Sequence, residues 1–123
     1  MIRIYDFKNN LLDEGDTSAK GSVPSKSTIV IYVNYIKGDE INLILTFDVY
    51  EKRLDDWYPM QYEDTPETVK NYKKVFSKSG KYRIMIPIAE NEELLRVNCK
   101  FSGGTINSPG DAKITLIPMA VGY

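Results

Sequence analysis

The chain has 123 residues, of which 42% are hydrophobic and 27% charged, and its formal net charge is -1 at pH 7. These values predict a single soluble globular domain and exclude a disordered chain. They also argue against a general DNA- or RNA-binding protein, which carries a basic surface. The sequence contains no histidine, which excludes a histidine base, a histidine metal ligand and an Asp-His relay.

The N-terminal segment predicts one strand followed by an extended arm. Ile2–Phe7 alternates apolar and polar residues, as a short strand does. The range Asn9–Lys26 is rich in Asn, Asp, Glu, Gly, Ser and Pro, which is typical of a long loop that a partner orders. Its clearly apolar residues are Leu11, Leu12 and Val23.

The body of the chain reads as strands separated by turns. Thr28–Ile36 is β-branched and aromatic on both faces, which predicts a central strand. Ile41–Tyr50 shows the clearest alternation, with Leu43, Leu45 and Phe47 on one face. Four further strand-like segments are Trp57–Tyr62, Tyr82–Ile88, Leu94–Ser102 and Ala112–Met119.

Three positions have specific predicted roles. Val69–Ser77 has some helical spacing, but its lysines and its context favour a polar edge strand. Pro87 is expected at the end of a strand. The single cysteine, Cys99, cannot form an internal disulfide and is expected to be a small buried hydrophobic residue.

Seven or eight strands with turns every eight to twelve residues predict an all-β fold. We expect a two-sheet antiparallel β-sandwich, jelly-roll-like, with an extended N-terminal arm. The chain then divides into an N-terminal strand and arm (1–26) and a β-sandwich domain (27–123). The first residues have no apolar signal-peptide region, and no run approaches the ~20 apolar residues of a membrane span. Synthesis in a reducing cytoplasm is the simplest expectation.

Acidic pairs are the first candidates for chemistry. Asp55 and Asp56 precede Trp57, and Glu63 and Asp64 follow Tyr62. A calcium site or a glycosidase pair needs such carboxylates, but acidic residues are equally common in hairpin turns. The sequence therefore predicts no catalytic residue, no metal site and no cofactor.

Aromatic and basic residues offer surface functions. Six aromatic residues occur in three successive strands, where they fit half-buried strand positions, a protein interface or stacking on sugar rings. They are Tyr32, Tyr35, Tyr50, Trp57, Tyr58 and Tyr62. A basic run is better explained as a solvated strand face than as a binding patch. It consists of Lys70, Lys73, Lys74, Lys78, Lys81 and Arg83.

Several segments together resemble a known family. They are Ile41–Glu51, the acidic turn into Asp55-Asp56-Trp57-Tyr58-Pro59-Met60, Ser79–Ile88, Leu94–Gly104 and Lys113–Pro118. The arrangement from Ser27 to Pro118 resembles small β-sandwich virion proteins of tailed bacteriophages, the capsid auxiliary or decoration proteins. The turn before the tryptophan differs, because the family pattern has a glycine where this chain has Asp56.

The resemblance implies a non-enzymatic viral structural protein that binds the capsid or a neighbouring virion protein rather than nucleic acid or a membrane. We expect it in the virion, assembled in the host cytoplasm, and as a homo-oligomer such as a trimer. The predicted partner-binding residues are Tyr5, Phe7, Leu11, Leu12 and Val23 in the arm, with Trp57 and Tyr58 at a loop end. The alternatives are a carbohydrate-binding module that uses Trp57, Tyr58 and Tyr62, and a calcium-dependent membrane-binding sandwich.

Overall fold

The structure is a computed structural model that describes residues 1–6, 8–14, 18–22, 28–87 and 94–119. Within these ranges the fold is all-β, as predicted, and contains strands but no helix. The strands are β1 (Ile2–Tyr5), β2 (Leu11–Glu14), β3 (Ser18–Ser22), β4 (Thr28–Ile36), β5 (Asn42–Glu51), β6 (Asp56–Pro59), β7 (Gln61–Thr65), β8 (Thr68–Asn71), β9 (Lys73–Phe76), β10 (Gly80–Pro87), β11 (Leu94–Ser102) and β12 (Asp111–Met119). The described residues thus form twelve strands, more than the seven or eight expected.

The first sheet has the strand order β10-β4-β12-β1-β2. Strand β4 is central, as predicted, and pairs antiparallel with β10 and β12. The prediction of a purely antiparallel fold is wrong for this sheet, because β1 runs parallel to β12. The alternation in Ile2–Tyr5 predicts a strand, but a strand pattern contains no information about the direction of its neighbour.

The second sheet has the order β3-β11-β5-β6. Strand β5 pairs with β11 along one edge. Its other edge holds β9 beside Leu43–Thr46 and β6 beside Asp48–Glu51. One ten-residue strand therefore organises three neighbours.

The segment predicted as one polar edge strand, Val69–Ser77, contains two strands. Strand β8 pairs with β7 in a separate two-stranded hairpin, whereas β9 pairs with β5. The break falls at Tyr72, whose backbone N–H donates to the carbonyl of Met60 at 2.8 Å and whose ring packs against the core. This tertiary contact divides a segment that the sequence presents as continuous.

The extended N-terminal arm is not shown. Two segments of its range are paired strands instead: β2 pairs with β1, and β3 pairs with β11. Polar composition lowered the expected strand content, but backbone hydrogen bonding to an existing sheet edge does not require apolar side chains.

The two five-stranded sheets share one hydrophobic core. The first sheet contributes residues such as Ile31, Val33 and Ile114, and the second contributes Leu45 and Phe47. Burying one such side chain contributes about 1.5–3 kcal/mol. Two single-residue predictions are confirmed, since β10 ends at Pro87 and Cys99 is buried in this core.

Candidate interaction surface

Strand alternation gives the first sheet a second side, which faces away from the core. In β4, Ile31 and Val33 point into the core, so Tyr32 and Asn34 point outward. The same alternation places Arg83 of β10 on that side, next to Tyr32 in register. We call this side the first-sheet outer face and define it by Tyr5, Leu11, Tyr32, Arg83, Lys113 and Thr115.

The register aligns five of these residues in one row. Leu11 pairs with Tyr5, Tyr5 with Thr115, Thr115 with Tyr32, and Tyr32 with Arg83. Four strand spacings make this row about 19 Å long. One residue from each of the five strands therefore contributes to a continuous row across the sheet.

Two cations lie against the tyrosine rings of this face. The guanidinium carbon of Arg83 is 5.8 Å from the ring centroid of Tyr32, and its Nε donates to the Tyr32 hydroxyl at 3.2 Å. Across the sheet, the Lys113 Nζ is 5.0 Å from the ring centroid of Tyr5. Such contacts orient long side chains and lower the entropy that they lose on binding a partner.

The charge of the face is mostly positive. In addition to Arg83 and Lys113, Arg3 and Lys81 lie on its strands. Asp111 is the single acidic residue among the side chains that the structure describes on these strands, and its carboxylate contacts Arg3 at 3.2 Å. Glu14 of β2 pairs in register with Arg3, so the positive charge that favours an acidic partner comes from Lys81, Arg83 and Lys113.

Trp57, a predicted binding residue, lies on the other side of the molecule. Its ring packs between the Arg96 guanidinium, 4.6 Å from the ring centroid, and Tyr50, with ring centroids 5.3 Å apart. Arg96 is held in place because its Nε donates to Asp48 at 2.9 Å, and Asn98 donates to the same oxygen at 2.8 Å. The ring is therefore a packing element of the second sheet, with one face already covered.

Tyr58 does not join Trp57. Strand alternation puts these neighbours on opposite faces of β6, where Tyr58 pairs in register with Val49 and is exposed. The structure therefore brings Tyr5 and Leu11 together, but separates Trp57 and Tyr58 from them and from each other. Leu12 lies in β2, with its side chain outside the described set, and Phe7 and Val23 lie outside the described residues.

At least one member of each acidic pair has a structural partner. The Tyr50 hydroxyl donates to Asp55, and Lys70 contacts Asp64 at 2.9 Å. In the described part of the chain, no group of three or more Cys, Asp or Glu side chains is arranged to hold a metal ion. The described residues also include no helix capable of crossing a membrane.

Sequence reasoning missed the contributions of Arg83 and Lys113 to this surface. Both belong to alternating strands, so their outward direction is readable from the sequence. Their proximity to Tyr32 and Tyr5 cannot be read from the sequence, because it depends on the pairing of β4 with β10 and of β1 with β12.

No family model, curated protein or solved structure matches the chain.

Proposed function

We propose that the protein is a non-enzymatic virion protein of a tailed bacteriophage, a capsid decoration or auxiliary subunit. It binds the major capsid protein or a neighbouring virion protein through the first-sheet outer face. The virion role rests on the sequence resemblance of Ser27–Pro118, and the observation that supports a protein-binding face is the continuous row from Leu11 through Tyr5 and Tyr32 to Arg83.

The composition of this row supports a protein partner. Tyrosine and arginine are enriched at the energetic centres of protein interfaces, where they combine apolar area with few rotatable bonds or several hydrogen-bond donors. Tyr32 is 39% and Leu11 47% exposed, so both have surface left to bury. Excess positive charge adds electrostatic attraction toward an acidic partner surface.

The N-terminal segment has a partner-binding role in this proposal, although as a strand of the face rather than as a detached arm. Leu11 of β2 lies beside Tyr5 in register, so this strand extends the contact surface. The jelly-roll-like architecture also belongs to the proposal. Its support is the order of the paired strands along the chain. Strands β5 and β11, which pair in the second sheet, lie in the sequence between β4 and β12, which pair in the first sheet.

Assembly takes place in the host cytoplasm, and the subunit acts as a homo-oligomer, with a trimer as the expected state. A symmetric oligomer repeats the same modest contact on several capsid subunits, which raises the overall affinity by avidity. Light scattering at several concentrations measures this state, and a strict monomer would contradict the trimer.

Quantitative mass spectrometry of gradient-purified virions tests the function. We expect the protein to co-sediment with the capsid at a fixed number of copies per capsid subunit. The variant Tyr32→Ala/Arg83→Ala should lower its occupancy at least about tenfold, as loss of two central interface residues does. The control Lys100→Ala changes an exposed cation of β11 in the other sheet and should leave occupancy unchanged. Absence of the protein from the particles would refute the proposal.

A further inference from the structure

We infer a second binding site, for an acidic sugar, in a cleft between the β7–β8 hairpin and β9. The cleft has a volume of about 490 Å³ and is lined by Tyr62, Lys70, Asn71, Tyr72, Lys73 and Lys74. This volume lies in the range of small-ligand sites. The site is independent of the virion role, because none of its residues belongs to the first-sheet outer face.

Tyr72 is the residue between the β7–β8 hairpin and β9, and it lines the cleft. The Tyr72 backbone is fixed to Met60, and its ring packs against the core. Tyr62 meets it edge to face, with ring centroids 5.3 Å apart. Tyr62 itself is 43% exposed, so one aromatic ring is anchored and the other is open to a ligand.

The lining offers many hydrogen-bond donors and few acceptors. Lys70 contacts Asp64 at 2.9 Å, but neither Lys73 nor Lys74 has a carboxylate within 4.0 Å among the described residues. The Asn71 side-chain oxygen already accepts from Gln61 at 2.8 Å, which leaves its amide group as a donor. A ligand that satisfies this lining must be rich in acceptors and negatively charged.

Lys74 strengthens this argument. It pairs in register with the core residue Leu45, and its side chain is partly buried rather than fully solvated. A partly desolvated ammonium without an anionic neighbour gains more from a bound carboxylate or phosphate than an exposed lysine does. The adjacent tyrosines supply the apolar surface on which the C–H face of a sugar ring can pack.

The surroundings favour one acidic sugar unit over a long polyanion. Glu63, Asp64 and Glu67 are exposed on the same hairpin, and they would repel a polyanion that extends along it. The lining also contains no arginine, the residue whose planar fork matches phosphodiesters with two hydrogen bonds. A nucleic-acid strand is therefore the less suitable occupant.

Titration of the isotope-labelled protein with glucuronic acid, followed by amide NMR shifts, tests the site. We expect shifts confined to residues 61–63 and 70–74, with a Kd on the order of 1 mM because one sugar unit makes few contacts. Glucose, which lacks the carboxylate, should bind at least about tenfold more weakly. Inorganic phosphate and oligo(dT) serve as the ion and nucleic-acid probes.

Two variants and a matched control complete the test. Lys74→Gln should weaken glucuronate binding at least about tenfold, because Lys74 lies on the side of β9 that faces Leu45, whereas its neighbour Lys73 lies on the opposite side. Tyr62→Ala, which alters an exposed ring and so preserves the fold, should weaken it as well. Lys78→Gln removes one exposed lysine charge outside the cleft lining and should leave the Kd within about twofold.

Three results would overturn the inference. One is the absence of shifts at the cleft in saturating glucuronate. Another is equal binding of inorganic phosphate with no effect of Tyr62→Ala, which would indicate only an ion-binding lysine cluster. The third is tighter binding of oligo(dT) than of glucuronate. None of these results affects the presence of the protein in virions, so the two proposals fail separately.

Discussion

The buried carboxylate of Glu40 accepts a hydrogen bond from the hydroxyl of Tyr35, five residues earlier in the chain. It also accepts from the backbone N–H of Gly38 at 2.8 Å and of Gly110 at 2.7 Å. One carboxylate thus joins the end of β4, the β4–β5 turn and the loop before β12. Because all three donors point at it, this end of the molecule depends on its negative charge.

Glu40→Gln should lower the free energy of unfolding by about 2–3 kcal/mol, because the new amide group faces donors and leaves buried groups unpaired. Urea unfolding at neutral pH measures the change. Glu63→Gln, at an exposed position of β7, is the matched control and should stay within about 0.5 kcal/mol of the parent. Equal stability of the two variants would contradict the structural role of Glu40.

Acid should weaken the fold partly through the same residue. Burial raises the pKa of Glu40, but hydrogen bonds from Tyr35 and from the backbone of Gly38 and Gly110 outweigh it and hold the pKa below its ordinary value of 4.5. A lowered folded-state pKa stabilises the protein above the unfolded-state value, and this contribution is lost as the pH falls through the folded-state pKa. Stability should therefore decrease below about pH 4.5.

The comparison with Glu40→Gln isolates this effect. Other carboxyls contribute to the acid profile: a hydrogen bond from the Arg53 side chain lowers the pKa of Glu51 to about 2, so its contribution persists to lower pH. Unfolding free energies measured from pH 7 to pH 3 should converge between the parent and Glu40→Gln as Glu40 becomes protonated. Parallel profiles would show that Glu40 does not titrate in this range.

Gly110→Ala should disrupt the packing of the loop before β12 against Ile36 and Glu40. A Cβ at position 110 would collide with the carbonyl oxygen of Ile36 and would lie 2.8 Å from the Glu40 carboxylate. We expect a loss above about 3 kcal/mol, or failure to fold, measured by thermal unfolding. Gly104→Ala is the control: its φ of 73° is strained for alanine, but the nearest atom is 3.7 Å away, so the loss should be about 1 kcal/mol.

Asp55 combines a left-handed backbone with a side-chain acceptor. Its φ is 49°, and it accepts a hydrogen bond from the Tyr50 hydroxyl. Asp55→Asn keeps both features and should be nearly neutral, whereas Asp55→Ala should lose about 1–2 kcal/mol. Asp55→Gly loses the hydrogen bond but not the backbone freedom, so its stability in chemical denaturation should fall between the two. Alanine as stable as asparagine would refute this ordering.

Arg96 should control the environment of the single tryptophan. It covers one face of Trp57 at 4.6 Å, so Arg96→Gln should increase the quenching of tryptophan fluorescence by acrylamide. Loss of the cation–π contact and the Asp48 ion pair should cost about 1–2 kcal/mol. Arg83→Gln removes a cation that lies over Tyr32 on the opposite sheet, and it should leave the fluorescence unchanged. Equal quenching in both variants would contradict the packing of Arg96 on Trp57.

The central strands were predictable because each has a strong local pattern. Leu43, Leu45 and Phe47 alternate with polar residues, and all three are buried as expected. The strands within the predicted arm, Asn9–Lys26, were harder to predict, because Ser18–Ser22 has no apolar pattern and forms a strand only beside the edge of β11. The division of Val69–Ser77 into two strands was not predictable either, because it depends on the hydrogen bond from Tyr72 to Met60, and Met60 lies outside this segment.

The candidate surface was only partly predictable for the same reason. Tyr5 and Leu11 are separated by six positions and were both selected for their apolar character, and the structure places them side by side. Trp57 is predicted to be a partner-binding residue at a loop end, but Arg96 and Tyr50 pack against its ring. The residues that cover it come from other strands, so no pattern within Asp56–Pro59 predicts them.

The sequence by itself determined the all-β class, the inward faces of the long strands and the burial of Cys99, because side-chain direction alternates along a strand whatever its neighbours are. Tertiary structure decided which strands are neighbours, and therefore that Arg83 meets Tyr32 and that Glu40 meets Gly110. These contacts join residues 51 and 70 positions apart. Pairing at such distances depends on the sum of many weak interactions over both sheets, which no local pattern contains.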